Sequence, residues 1–301
     1  MTRLLELEEL RIVEGLLKAL VRRARNIPME QRLAWLYGFA LGDASVFIVK
    51  NEITLTTPRI DTMLAFVVMA LEFSRVVRAY PGMKRGGTPT WYIHAETSPE
   101  LVQKICKVKK LDIESYLRNR ELLAPLTAGL MDSDGSIALS VKKRKRGGSY
   151  KYYFEPDVSI TNSNKQLLQI LRDAWAKHGI LFKIYTPTKS GSVGKGGFVR
   201  RKDVYRIRIE AQHQIGMYLR QVLPYMQHIE RIAKASITLA YIESRIPHKP
   251  EIIAKASEVL KQYYEQVLKI KSHNLISKLY NLRKQLKIYK NGTICVSPIK
   301  R

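Results

Sequence analysis

One stretch of this chain occurs twice, and that repetition limits the fold to two related halves. The first copy is Leu36-Tyr37-Gly38-Phe39-Ala40-Leu41-Gly42-Asp43-Ala44. The second is Thr127-Ala128-Gly129-Leu130-Met131-Asp132-Ser133-Asp134-Gly135, so that Asp43 and Asp134 lie 91 residues apart. Apolar residues in both copies follow helical spacing, and small residues lie four apart: Gly38 with Gly42, Gly129 with Ser133. Residues i and i+4 share a helix face, so each segment carries a strip without bulky side chains. Glycine inside a helix costs about 1 kcal/mol relative to alanine. Its presence at matching places in both copies points to two backbones packed closely together. If the helices cross at these strips, Asp43 and Asp134 emerge side by side at their C-terminal ends. There the partial negative charge of each helix end adds to the carboxylates, which suits a hard divalent cation with oxygen ligands.

The two motifs, TAGLMDSDG above all, resemble those of the LAGLIDADG homing endonuclease family, and the resemblance spans about residues 29–245. The first copy departs from the family pattern at Ala44, where glycine is usual, and at Leu41, where aspartate is frequent. The resemblance implies an α+β fold of two pseudo-symmetric αββαββα halves. Paired motif helices would form the interface, and antiparallel sheets would bind DNA. It further implies a site-specific, intron-encoded DNA endonuclease that acts as a monomer and makes a metal-dependent staggered double-strand cut at a long recognition site. Mg²⁺ or Mn²⁺ is the expected cofactor. By the family pattern Asp43 and Asp134 bind the metals, with the backbone carbonyls of Gly42 and Ser133 as further ligands. Asp132 is expected to matter less. A polar side chain at the end of the second strand of each half, Asn162 and Thr57, is expected to order metal-bound water. A basic residue after a Leu-Pro-aromatic turn is also expected near the phosphate. Leu223-Pro224-Tyr225 supplies the turn, but Gln227, His228 and Ile229 follow where lysine is usual. His228, Arg231 and Lys234 therefore remain open candidates, with Lys109 and Lys110 at the comparable place in the first half.

Composition narrows the partner. Lys and Arg total 52 against 26 Asp and Glu, a net charge of +26. An excess of this size points to a polyanion, nucleic acid before membrane. Thermophilic charge enrichment would bring glutamate along with lysine, and here the acids are half the bases. Double-stranded DNA is the expected partner, with intron RNA as the alternative. Cys106 and Cys295 are too few for a disulfide framework, which fits a reducing, cytoplasmic location. No apolar run is long enough to span a bilayer.

Between the motifs the pattern alternates in each half. In the first, strands are expected from Ala44 to Lys50, Ile53 to Thr57, Arg75 to Tyr80 and Thr90 to Glu96. Helices are expected over 59–73, from Ser98 to Cys106 and near Ile113 to Arg118. In the second, strands 135–142 and 150–161 flank a basic loop at Lys143 to Gly148. A helix over 164–178, strands 180–186 and 204–210, and helices over 212–222 and 225–244 follow. Arg206, Arg208 and Glu210 alternate with Tyr205, Ile207 and Ile209, giving one polar strand face. A two-stranded ribbon fits the major groove, where arginine reads guanine edges. The candidate DNA contacts are Lys142, Lys143, Arg144, Lys145, Arg146, Lys151, Tyr153, Lys189, Lys195, Arg200, Arg201, Arg206, Arg208 and Arg75. Domain boundaries follow: a helical extension at 1–26, halves at 27–119 and 120–246, and a basic helical extension at 247–301. Over 251–290 the leucines suggest one or two long helices. Two rival functions use the same scaffold: an RNA maturase assisting intron splicing, and a DNA-binding regulator without catalysis.

Overall fold

The computed structural model describes residues 8–84, 87–193, 199, 201–244 and 249–299. Helix α1 (Glu8–Arg25) leads into the first half. That half runs α2 (Met29–Gly42), β1 (Ser45–Phe47), β2 (Glu52–Thr57), α3 (Ile60–Phe73), β3 (Val76–Met83), β4 (Pro89–Glu96), α4 (Pro99–Lys109) and α5 (Glu114–Arg118). The second half repeats the order: α6 (Arg120–Asp134), β5 (Gly135–Arg146), β6 (Ser149–Asn162), α7 (Lys165–Ala176), β7 (Phe182–Thr188), β8 (Val204–Ile209), α8 (Gln212–Val222) and α9 (Ile229–Glu243). The expected α+β fold with an αββαββα order in each half is present. Among the described residues no helix is long and apolar enough to cross a membrane.

Helices α2 and α6 cross at their small residues. A Cβ on Gly38 would overlap the Leu126 carbonyl, and one on Gly129 would overlap the Trp35 carbonyl. One turn further on, a Cβ on Gly42 would overlap the Ser133 hydroxyl and lie 3.0 Å from the Asp134 carboxyl carbon. The backbones thus touch along the strip, and no larger residue fits at either crossing glycine. Side chains beside the strip close the seam: Trp35 and Phe39 stack with ring centroids 5.0 Å apart, and Trp35 is fully buried. The Trp175 indole N–H donates to Thr127 Oγ1 at 3.1 Å and ties α7 to α6.

Each half places helices on one face of an antiparallel sheet. In the first sheet Ile53, Leu55, Val77, Ala79, Ile93 and Ala95 are buried, while Thr54, Arg78 and His94 alternate with them on the open face. The second sheet has the order β5-β6-β8-β7. Its basic segment differs from the expected loop. Strands β5 and β6 stay paired to Arg146 and Ser149, joined by Gly147 and Gly148 at φ 59° and 78°. Two consecutive positive φ values define the tight hairpin turn whose twist matches paired strands, so Lys143 to Arg146 belong to a strand.

The C-terminal segment corrects the sequence reading further. Helices α10 (Pro250–Tyr263) and α11 (Ile270–Asn281) are joined by a π-helical turn over Tyr264–Lys269. Beyond Asn281 the chain is not helical: it forms strands β9 (Lys284–Tyr289) and β10 (Ile294–Pro298). β9 pairs with β3, extending the first sheet to β1-β2-β4-β3-β9-β10. The alternation of polar Gln285, Lys287 and Tyr289 with apolar Leu286 and Ile288 carries the strand signal. Helical spacing of the preceding leucines masked it. α10 packs under the β5–β6 hairpin through Ile253, Leu139 and Phe154. α11 packs on the first half, where Ser272 Oγ accepts from the Trp91 indole at 3.3 Å and Lys278 pairs with Glu9 at 2.8 Å.

The crossing makes a prediction of opposite signs. Gly129→Ala should destabilise the protein by about 1–3 kcal/mol through overpacking, despite alanine's better helix propensity. Gly15→Ala, in α1 with nothing within 4 Å of the new methyl, should stabilise it by about 0.5–1 kcal/mol. Denaturant unfolding of both variants checks the pair.

Candidate functional site

Asp43 caps the C-terminus of α2, and Asp134 is the last residue of α6. The Gly42–Ser133 contact brings the two carboxylates together. Burial first and the nearby Asp43 charge second raise the Asp134 carboxyl to about 6. Asp43 remains open to solvent on one side, yet lost hydration lifts its carboxyl above the usual range. The Asn162 carboxamide donates to Asp134 Oδ2 at 2.6 Å and fixes its orientation. Asn162 thus ends β6 beside Asp134, whereas Thr57, at the end of β2, is buried and its Oγ1 accepts from the Arg59 backbone N–H at 3.1 Å, closing the turn into α3.

Two cations flank the pair. The Lys109 ammonium donates to the carbonyls of Ala40 and Ala44 at 2.5 and 2.8 Å, neutralising the negative end of α2. Burial lowers its pKa, and the charges of Asp134 and Asp43 partly restore it. Lys110, the other sequence candidate, caps α4; both lysines are exposed, and Lys109 is the one bonded to the α2 end. Helical phase separates them: Leu101, Ile105 and Val108 form the buried stripe of α4, and Lys109 sits one turn beyond Ile105.

Arg231 is the second cation. Its guanidinium donates to the Ser133 carbonyl at 3.0 Å, and burial lowers its pKa against the charge of Asp132. That bond occupies the Ser133 carbonyl with a cation, which disfavours its expected role as a metal ligand. The Gly42 carbonyl has no such neighbour among the described contacts. His228 is corrected more firmly. It is fully buried, faces Asp61 at 3.2 Å, and is held neutral by lost hydration. Lys234 pairs with Glu230 at 2.6 Å. Asp61, His228 and Glu230 could in outline hold a metal. However, Arg59 bonds Asp61 at 2.8 Å and Glu230 at 2.5 Å, filling the place a cation would take. Of the candidates after the Leu-Pro-Tyr turn, Arg231 is the one at the site.

Asp132 points away from the carboxylate pair. It is completely buried, and its Oδ2 accepts from the Trp35 indole at 3.0 Å and from the Gln227 backbone at 2.5 Å. One carboxylate thus ties α2, α6 and the segment leading into α9. The family pattern, which gives Asp132 little weight, hid this structural role.

The open face of the second sheet gathers Arg206, Arg208, Tyr153, Lys151, Lys142 and Arg144, since Thr161 pairs with Arg206, Ser159 with Arg208 and Arg144 with Lys151. Lys143 and Lys145 alternate onto the other face, where the Lys143 ammonium lies 4.2 Å from the Tyr150 ring centroid. Lys142 and Arg144 both pair with Glu155, and Arg208 lies 3.4 Å from Asp157. Arg146, Arg201 and Lys189 are exposed, and Arg75 is exposed just before β3. Lys195 and Arg200 lie outside the described residues.

Together these features define a class of protein: an internally duplicated α+β chain with paired acidic helix ends between two polar antiparallel sheets. Residues 121–213 match the LAGLIDADG-like domain, the stretch that holds the second of the two motifs. No curated protein matches the sequence. Among solved structures, the chain is similar to I-DmoI in complex with DNA and Mn, at 15% identity and a TM-score of 0.40, over 65% of this chain and 97% of that one. Full-length DUF199/WhiA from Thermatoga maritima is similar at 15% identity and a TM-score of 0.45, over 84% and 74%. I-CvuI in complex with an I-CreI target in the presence of Mg is similar at 16% identity and 0.34, over 56% and 98%.

Two predictions follow from the carboxylates. A carboxyl raised from about 4 to about 6 disfavours the fold once ionised. Its contribution to stability is therefore best below pH 4, falls between about 4 and 6, and stays low above. The stability of Asp134→Asn relative to the parent should rise across that window and then level off, as read from urea midpoints at several pH values. Asp132→Ala strands two buried donors, each costing about 1–3 kcal/mol. Denaturant unfolding should show a loss of about 2–6 kcal/mol.

Proposed function

We propose that this protein is a homing-type DNA endonuclease that acts as a single chain on duplex DNA laid against the two polar sheet faces. The observation that carries the reading is the meeting of Asp43 and Asp134 at adjacent helix ends, with Asn162 holding one of them. Like charges forced together and stripped of water favour a bound cation, and a donor set of hard oxygens fits Mg²⁺ or Mn²⁺. Asp43, Asp134 and the Gly42 carbonyl would hold it. When bound, such a metal supplies Lewis acidity at the phosphate and a more acidic water. The chain's own residues do the remaining work. Asn162 keeps Asp134 Oδ2 turned to one side, so the carboxylate presents its other oxygen. Lys109 and Arg231 place fixed positive charge beneath the pair, where negative charge grows as the phosphodiester reacts. The basic face carrying Arg206 and Arg208 neutralises phosphates and presents two guanidinium groups to base edges.

A second reading has one observation in its favour. Lys109 and Arg231 already lie beside Asp43 and Asp134 and offset part of their charge, as a DNA-binding regulator that does not cleave would need. The two readings part on one experiment. The parent, Asp43→Asn and Asp134→Asn are incubated with genomic DNA in Mg²⁺, and DNA affinity is measured in Ca²⁺. The endonuclease reading expects discrete fragments from the parent, at least about a 100-fold loss of cleavage in either variant, and affinity close to the parent. No cleavage by the parent, with affinity intact, supports the regulator. Full cleavage by both variants would remove the proposed metal site.

A further inference from the structure

Strands β9 and β10 widen the open face of the first sheet, and we propose that this added face grips duplex DNA outside the stretch covered by β1 to β4. The proposal rests on the DNA-binding reading above and assigns it to a segment that the duplicated halves do not contain. Distance from the site follows from strand order. β1 starts directly after Asp43 and Ala44, and the sheet then runs β2, β4, β3, β9 and β10. Strands lie about 4.8 Å apart, so the hairpin carries the face about 10 Å further from the carboxylates. Duplex DNA bears one charge per about 1.7 Å of axis, and that reach spans several phosphates.

The hairpin is a firm platform. Leu286 and Ile288 are fully buried beneath it, and the Gln285 side chain donates to the Pro298 carbonyl at 3.0 Å. Its outward side is basic and poorly compensated. Lys287 stands directly opposite Arg78 in the β3–β9 register. Like charges opposite each other on neighbouring strands repel. Glu96 lies 3.7 Å from Arg78 and is itself largely exposed, while Lys287 has no acidic partner among the described residues. The exposed Lys290 follows in the turn beside a surface depression of about 460 Å³ lined by Arg75, Tyr289, Lys290, Asn291 and Thr293. A cross-strand pair of cations, an unpaired lysine beyond it and an exposed tyrosine form a surface that a polyanion relieves. A nearly neutral face would be the expectation for a strand pair serving only to close the sheet edge.

The test is the salt dependence of binding to a fluorescent duplex of random sequence. Each phosphate contact adds about 0.9 to the steepness of log K against log salt. Lys287→Ala combined with Lys290→Ala should therefore flatten the slope by up to about 2, without lowering the unfolding midpoint. Replacing both by arginine should restore the slope. A control with Lys145→Ala and Arg146→Ala, at the tip of the β5–β6 hairpin, reports on the second half. If the control flattens the slope and the Lys287/Lys290 variant matches the parent, the inference about this hairpin is overturned and DNA binding stands. If the arginine variant loses the slope too, the effect lies in hairpin packing and the inference also falls. A parent with no salt-dependent binding overturns both readings.

Discussion

The contact between two helix backbones at Gly38 and Gly129 is the constraint on which the rest depends. Side chains of any size at those positions would hold α2 and α6 apart by the width of a methyl group or more. The C-terminal ends one turn later would then separate, and Asp43 and Asp134 with them. The contact is reinforced from below by a single buried carboxylate. Asp132 accepts hydrogen bonds from both Trp35 and the Gln227 backbone, joining the first motif helix to the second and to the approach of α9. Packing sets the distance of closest approach, and this hydrogen-bonded anchor sets the rotation.

Charge is handled differently on the two sides of the crossing. Asp134 receives a neutral carboxamide from Asn162, whereas the matching strand end in the first half carries Thr57, which turns inward to the backbone of Arg59. Asp43 instead feels the charges of Arg231, Arg59 and Lys109, and the Lys109 ammonium is bound to the carbonyls of Ala40 and Ala44. Behind the site a second set of ions is closed on itself, with Arg59 between Asp61 and Glu230. The duplicated halves thus share a backbone plan and diverge in electrostatics. Their outer surfaces diverge as well. The second half reaches outward through the long β5–β6 arm, and the first through two borrowed strands.

Much of this was legible in the residues because the repeat carries its own evidence: small residues at i and i+4, an aspartate at the helix stop, alternation on both sides of Arg206 and Arg208. What was hidden had physical causes. Lys109 and Lys110 are adjacent, and only the phase of a stripe through Leu101 and Ile105 tells which reaches the end of α2. His228 looked available for chemistry until tertiary packing surrounded it with Asp61 and Thr62. The lysines and arginines from Lys143 to Arg146 read as a loop because consecutive charges seldom occupy a strand, yet the Gly147-Gly148 turn keeps them paired. Strand β9 was obscured because its partner, β3, is far away in sequence and its neighbours are leucine-rich helix. Local pattern cannot signal a pairing whose energy comes from distant residues.

That distant pairing bears on how the molecule comes into being. During synthesis the first half emerges with β3 as an open sheet edge, a row of unpaired amides and carbonyls prone to wrong partners. Its proper neighbour is made only after the whole second half has been translated. The second half must therefore fold while the first waits unfinished, and closure by β9 joins sequence-distant segments, a slow class of folding step. A chain stopped in the second half after α6 would carry both motif aspartates and still present a bare β3 edge. Completion of the sheet thus waits on the last strands of the chain, long after both motif aspartates have been made, and a product truncated in between would be prone to aggregate.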